Sequence, residues 1–217
     1  MTDAPLTPAE AYVLLDPHGA ISTEAFKITL LLLVAMDVLE IAEVDRRVLF
    51  MRRGTKSVVS VVRDPPALFL AAEIVDVVRN ARGSERGCDF LSLAHSAYKR
   101  VLRGASDLVS GRIRPALAAR GWLELFEAGP PTRYRPTPAG LAEKQRLQLR
   151  LDRARRVPAL IDANPAEAEA ILQATGPLLL LVPELRSHYG KLAALDARLL
   201  AQGFVDFEDY FDGSRYT

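Results

Sequence analysis

The chain has 217 residues, 49% hydrophobic and 25% charged, with a net charge of +1 and a single cysteine. This is the composition of an ordinary globular protein, long enough for one large domain or two small ones, and the lone Cys88 excludes an internal disulfide framework. The first residues are polar and the apolar run from Ile28 to Val38 is broken at Asp37, so neither a secretory leader nor a membrane span of the required ~20 residues is expected, and the chain reads as soluble and cytoplasmic.

From the start of the chain, Thr7-Pro8-Ala9-Glu10 predicts a helix start: Thr7 caps, Pro8 suits the first helical position and Glu10 completes a capping box, with the helix running to about Leu15. Asp16-Pro17-His18-Gly19 is turn chemistry. Ser22 and Thr23 offer a second cap, and Glu24 to Leu39 reads as a helix apolar nearly all round and therefore buried on most faces. A strand-turn-strand pattern follows, with arms Arg47 to Met51 and Ser57 to Val62 around a turn at Arg52-Arg53-Gly54-Thr55. Pro66 to Arg82 has helical spacing, Ala81 to Cys88 reads as a loop, and Asp89 caps a helix from Phe90 to Leu102.

The stretch from Ser106 to Arg120 is helical up to the stop at Gly121, with Pro115 either kinking it or sitting in its first turn. Trp122 to Phe126 and Thr132 to Pro136 form a second hairpin. Thr137-Pro138 then opens a long helix to about Arg156, and Val157-Pro158 ends or bends it. Asn164-Pro165 starts another helix, with further helix at Leu178 to Leu181 and Ser187 to Ala201. Two segments, roughly 5 to 63 and 66 to 138, thus share the order helix, helix, hairpin, although no period recurs in the residues themselves.

Charge is unevenly placed. Residues 160 to 217 hold four Lys/Arg against nine Asp/Glu, while residues 1 to 159 hold 24 against 18. A basic body and an acidic tail fit either a polyanion site or two halves that dock together, and docking is the preferred reading. On the second helix and hairpin, Arg112, Arg114, Arg120, Arg133 and Arg135 are the candidate nucleic-acid contacts, because the arginine fork binds phosphate or a guanine edge bidentately. On the first hairpin, Arg46, Arg47, Arg52, Arg53 and Lys56 form a candidate anionic-surface contact; a hairpin edge kept soluble by charge is the simpler reading. Lys144, Arg146, Arg150, Arg153, Arg155 and Arg156 make the long helix basic, which suits either a polyanion-binding stripe or a solvated helix with Glu143 and Asp152 as local partners, the commoner of the two.

Catalytic patterns are absent. His18, His95 and His188 have no metal-ligand spacing, and Cys88 with His95 seven positions on is a weak nucleophile pair. No phosphate-binding glycine loop or nucleophile elbow occurs. The tail acids Asp206, Glu208, Asp209 and Asp212 do not match a calcium loop. No cofactor and no metal are therefore expected.

Three resemblances add to this reading. Residues 112 to 141, with Arg-Gly-Trp-Leu followed by Arg-Tyr-Arg-Pro-Thr-Pro-Ala-Gly-Leu, resemble the helix-wing-helix junction of the winged-helix superfamily. Leu6 to Ala11 followed by Thr29 to Leu32 and Val38 to Ile41 looks like the cytosolic part of a family of predicted bacterial membrane proteins. Leu14 to Ile21, followed by a buried helix and a hairpin, is similar to the opening of the Golgi phosphoprotein 3 family, which binds phosphoinositide headgroups at membranes. Together these imply a mainly α fold with small β-hairpin wings: a winged-helix-like unit over 1–64, a second over 65–138 and a C-terminal helical extension over 139–217. The function expected is a bacterial-type, non-enzymatic binding module. Its partner would be nucleic acid, another protein or a second copy, or an anionic membrane surface.

Overall fold

The computed structural model describes residues 5–48, 51–80, 88–89, 108–127 and 133–186. The expected helices at Phe90 to Leu102 and Ser187 to Ala201, most of the 81–88 loop and the acidic tail lie outside the described residues. Within them the chain is mainly helical, with small antiparallel hairpins. The described residues of Met1–Ile28 and Ser106–Ala193 make one compact unit, and those of Thr29–Ala105 make the other.

Helix α1 (Pro8–Leu15) opens with the expected capping box: the Thr7 N–H donates to Glu10 Oε2 at 2.9 Å, and the Glu10 N–H donates to Thr7 Oγ1 at 3.3 Å. Helix α2 (Ser22–Ala35) buries every residue from Ala25 to Val34 except Lys27, as an all-round apolar sequence requires. The Ser22 hydroxyl, a candidate cap, instead accepts the backbone N–H of Val109 at 3.1 Å. Helix α2 stops at Ala35, four residues before the expected Leu39. Asp37 takes a left-handed φ of 53°, its N–H reaches Val34 O and the Val38 N–H reaches Leu33 O, so a Schellman turn closes the helix.

The strands β1 (Leu39–Val48) and β2 (Met51–Val61) are longer than expected, and β3 (Cys88–Asp89) adds a third strand on β2. Two sequence expectations are corrected here. The chain reverses between Val48 and Met51, and Arg52 to Thr55 belong to β2 rather than to a turn. Cys88 pairs with Val59 in the sheet instead of standing in a loop. The apolar pairs Leu39–Val61 and Ile41–Val59 set the register, and a one-residue slip would turn the buried Leu39 and Val59 to the opposite face. Helix α3 (Ala71–Asn80) then packs Ile74, Val75, Val77 and Val78 into the core of this unit.

In the other unit a π-helical turn (Val109–Ile113) leads into α4 (Arg114–Ala119). Pro115 has no N–H for the carbonyl four residues back, and the widened turn just ahead of it, with the Arg114 N–H reaching Val109 O, carries the chain past this gap. The helix ends as α2 does: Gly121 has φ 76°, its N–H meets Ala118 O and the Trp122 N–H meets Leu117 O. The hairpin β4 (Leu123–Glu127) and β5 (Arg133–Pro136) follows. Its base is closed by the Thr137 N–H on Trp122 O at 3.0 Å, just as the Val62 N–H closes the first hairpin on Val38 O at 2.9 Å. One helix-to-hairpin junction is therefore built twice, with Asp37 and Gly121 in the same role. Because alanine, unlike glycine or aspartate, is strained at that φ, Gly121→Ala should lower stability by about 1 kcal/mol, measured by urea denaturation, although nothing stands in the way of the new methyl group.

Helix α5 (Pro138–Ala154) is capped by Thr137 Oγ1, which accepts the Gly140 N–H at 3.0 Å. It buries Gly140, Leu147, Leu151 and Ala154. Arg155 and Arg156 turn the chain into α6 (Val157–Ala163), Asn164 caps α7 (Pro165–Thr175), and a 3-10 segment (Gly176–Leu181) leads to α8 (Pro183–Arg186). Helix α1 packs against α4, α5, the π-helical turn and the 3-10 segment, so the core of this unit sits around Leu14, Ile113, Leu117, Leu151 and Leu179.

Candidate functional site

The five arginines expected on the second helix and hairpin have different surroundings. Arg112 lies half-buried in the π-helical turn. Arg114 follows it, also half-buried, and its Nε is enclosed with no acceptor among the described residues. Burial holds the Arg114 guanidinium below the ordinary arginine pKa, with Tyr134 and Asp16 pushing it back up. Arg120 ends α4 and is turned inward. Its Nη1 lies 3.3 Å from Glu10 Oε1, and its guanidinium carbon sits 4.0 Å from the centre of the Trp122 ring. Glu10 is only 3% exposed, so this arginine serves a buried carboxylate of α1.

Arg133 and Arg135 stand on β5 and are exposed. Strand pairing sets Arg135 opposite Glu124 and Arg133 opposite Glu127. Arg135 Nε is 2.6 Å from Glu124 Oε1, and Arg133 Nε is 3.5 Å from Glu127 Oε2. Arg135 also covers the Phe126 ring at 5.0 Å. The described part of the hairpin thus carries two arginines and two glutamates in cross-strand pairs. Of β4 only Leu123 is buried, and Leu125 and Phe126 are 53% and 58% exposed.

On the first hairpin the register places Arg47 opposite Arg52 and Lys56 opposite Val44, with an irregularity between Asp45 and Arg47. Arg46 and Arg53 stand on the same two strands. The expected basic set is therefore gathered on β1 and β2.

Helix α5 and the two residues after it carry six cations between Lys144 and Arg156. Arg146 pairs with Glu143 at 3.2 Å, and just past the helix Arg155 pairs with Asp152 at 2.5 Å. Arg150 and Arg153 are exposed between them. The sequence shows this cluster but not its orientation, because only the buried set Gly140, Leu147, Leu151 and Ala154 tells which way the helix is turned.

Of the groups weighed for chemistry, His18 is exposed in the turn after α1, while His95, His188 and the four tail acids lie outside the described residues. Among the described residues no three His, Cys, Asp or Glu side chains gather as a metal site, and no helix is long and apolar enough to cross a membrane. The Arg120–Glu10 contact is the feature least accessible to sequence reasoning, since 110 positions separate the partners. The Glu124–Arg135 and Glu127–Arg133 pairs follow once the hairpin register is known. No protein family, curated protein or solved structure matches the chain.

Proposed function

We propose that the chain is a non-enzymatic, winged-helix-like interaction module, and that its β4–β5 wing is a contact surface for a second copy of the same chain. One observation carries this reading: the wing's arginines are matched by Glu124 and Glu127, while Leu125 and Phe126 stand more than half exposed at its centre. A phosphate-reading wing needs surplus positive charge. This one has balanced charge around apolar side chains, which is the composition of a protein-contact patch. A surface that holds both signs also suits a two-fold contact, where each patch must complement itself.

Analytical ultracentrifugation tests the reading. The wild-type chain is expected to sediment as a dimer, and Leu125→Ser with Phe126→Ser is expected to shift it to monomer with an unchanged far-ultraviolet circular dichroism spectrum. A wild-type chain that stays monomeric across the micromolar range, or a double variant that dimerises as well as wild type, overturns the proposal.

A further inference from the structure

We propose that the exposed arginine-bearing flank of α5 binds the phosphate backbone of duplex nucleic acid without reading its sequence. This surface is separate from the wing and does not depend on the self-association reading. Arg146, Arg150 and Arg153 follow each other at spacings of four and three, so their side chains leave one face of the helix. That face lies roughly a quarter-turn from the buried line of Gly140, Leu147, Leu151 and Ala154. At about 1.5 Å per residue the three arginines span about 10 Å along a straight rod. A duplex presents a phosphate charge about every 1.7 Å of its axis, so a row of this length meets several.

The charges on this face are available. Arg150 and Arg153 are exposed, and the Arg146 side chain is 78% exposed beside Glu143. An ion pair this exposed is worth little, so a phosphate displaces Glu143 from Arg146 readily. From 138 to 156 the chain has six cations against two acids, five of the cations being arginine, whose fork takes two phosphate oxygens at once.

The same geometry disfavours a lipid surface. A helix lying in a membrane interface must insert its apolar face. On α5 that face, Leu147 and Leu151, is committed to the core of the unit, leaving only Leu141 and Leu149 as large apolar side chains outside. The regular axial spacing of the arginines favours a rod of evenly placed phosphates over a flexible acidic peptide.

The experiment is a fluorescence-anisotropy titration of the full chain on a labelled mixed-sequence duplex at several salt concentrations. Three phosphate contacts give a slope of log affinity on log salt of about −2.7, and hence a loss of about 40-fold between about 50 and about 200 mM salt. The triple variant Arg146→Gln, Arg150→Gln and Arg153→Gln is expected to bind at least tenfold more weakly with a slope near zero, while Arg133→Gln with Arg135→Gln retains wild-type affinity and slope. Circular dichroism establishes that both variants are folded. An absence of binding at the lowest salt, an unchanged affinity in the triple variant, or equal affinity for polyglutamate overturns the proposal.

Discussion

Replacing Gly140 by alanine is expected to lower stability by about 3 kcal/mol, although alanine is the better helix former by about 1 kcal/mol. Gly140 lies in the first turn of α5, against the backbone of Trp122. A Cβ added there would collide with the Trp122 carbonyl oxygen and come within 2.8 Å of the carbonyl carbon. That carbonyl cannot swing aside, because it accepts the Thr137 N–H at 3.0 Å and closes the base of the hairpin. The clash is backbone on backbone, the kind a rotamer change does not relieve. For a chain of this size, about 3 kcal/mol is a fall in Tm of about 6–12 °C, read by thermal circular dichroism. The comparison variant is the exposed neighbour: Ala139→Gly should lose about 1 kcal/mol, from helix propensity alone. If Gly140→Ala is as stable as wild type or more so, the close approach of α5 to Trp122 is wrong.

Arg120→Ala is expected to cost about 2–3 kcal/mol. The Glu10 carboxylate is buried, and its Oε2 is held by Thr7 through the N–H at 2.9 Å and the hydroxyl at 2.8 Å. Arg120 is the cation at its other oxygen, Oε1, and removing it leaves a buried anion without its counter-charge. The 20% exposure of Arg120 lets water replace part of what is lost, which places the effect below that of a fully enclosed pair. Arg120→Lys keeps the charge but loses the flat stacking on Trp122, and should fall between wild type and Arg120→Ala. A double-mutant cycle with Glu10→Gln separates the pair from the other roles of each side chain, and a coupling of about 1–2 kcal/mol is expected. Additivity of the two single changes would show that the contact does not hold α1 to the end of α4.

Much of the local architecture was legible because it rests on short-range chemistry. Thr7 with Glu10, Thr137 before Pro138, and Asn164 before Pro165 each satisfy helix N–H groups within three residues, and all three helices start where expected. Gly121 was readable as a stop because a left-handed residue after a helix favours glycine. Asp37 has the same conformation but is not legible as a stop, since aspartate there carries no comparable signal and the apolar run continues through Val38 and Leu39. The first hairpin was displaced for a related reason. Arg52-Arg53-Gly54-Thr55 has turn chemistry, but pairing of Leu39 and Ile41 with Val61 and Val59 outweighs it and moves the reversal to the residues between Val48 and Met51.

By itself the sequence determined a mainly helical chain with small hairpins, and where several of the helices start. Each depends on residues a few positions apart, whose capping and periodicity act before the chain is packed. What only the tertiary structure decided is which charges face outward. Arg120 and Arg135 are both arginines in a basic stretch, yet one is drawn to a carboxylate 110 positions away and the other to a glutamate across a hairpin. On α5, by contrast, the buried leucines turn Arg146, Arg150 and Arg153 outward. Charge in a sequence is a count; whether it meets a partner inside the fold or one outside it depends on the long-range packing that places the opposite charges.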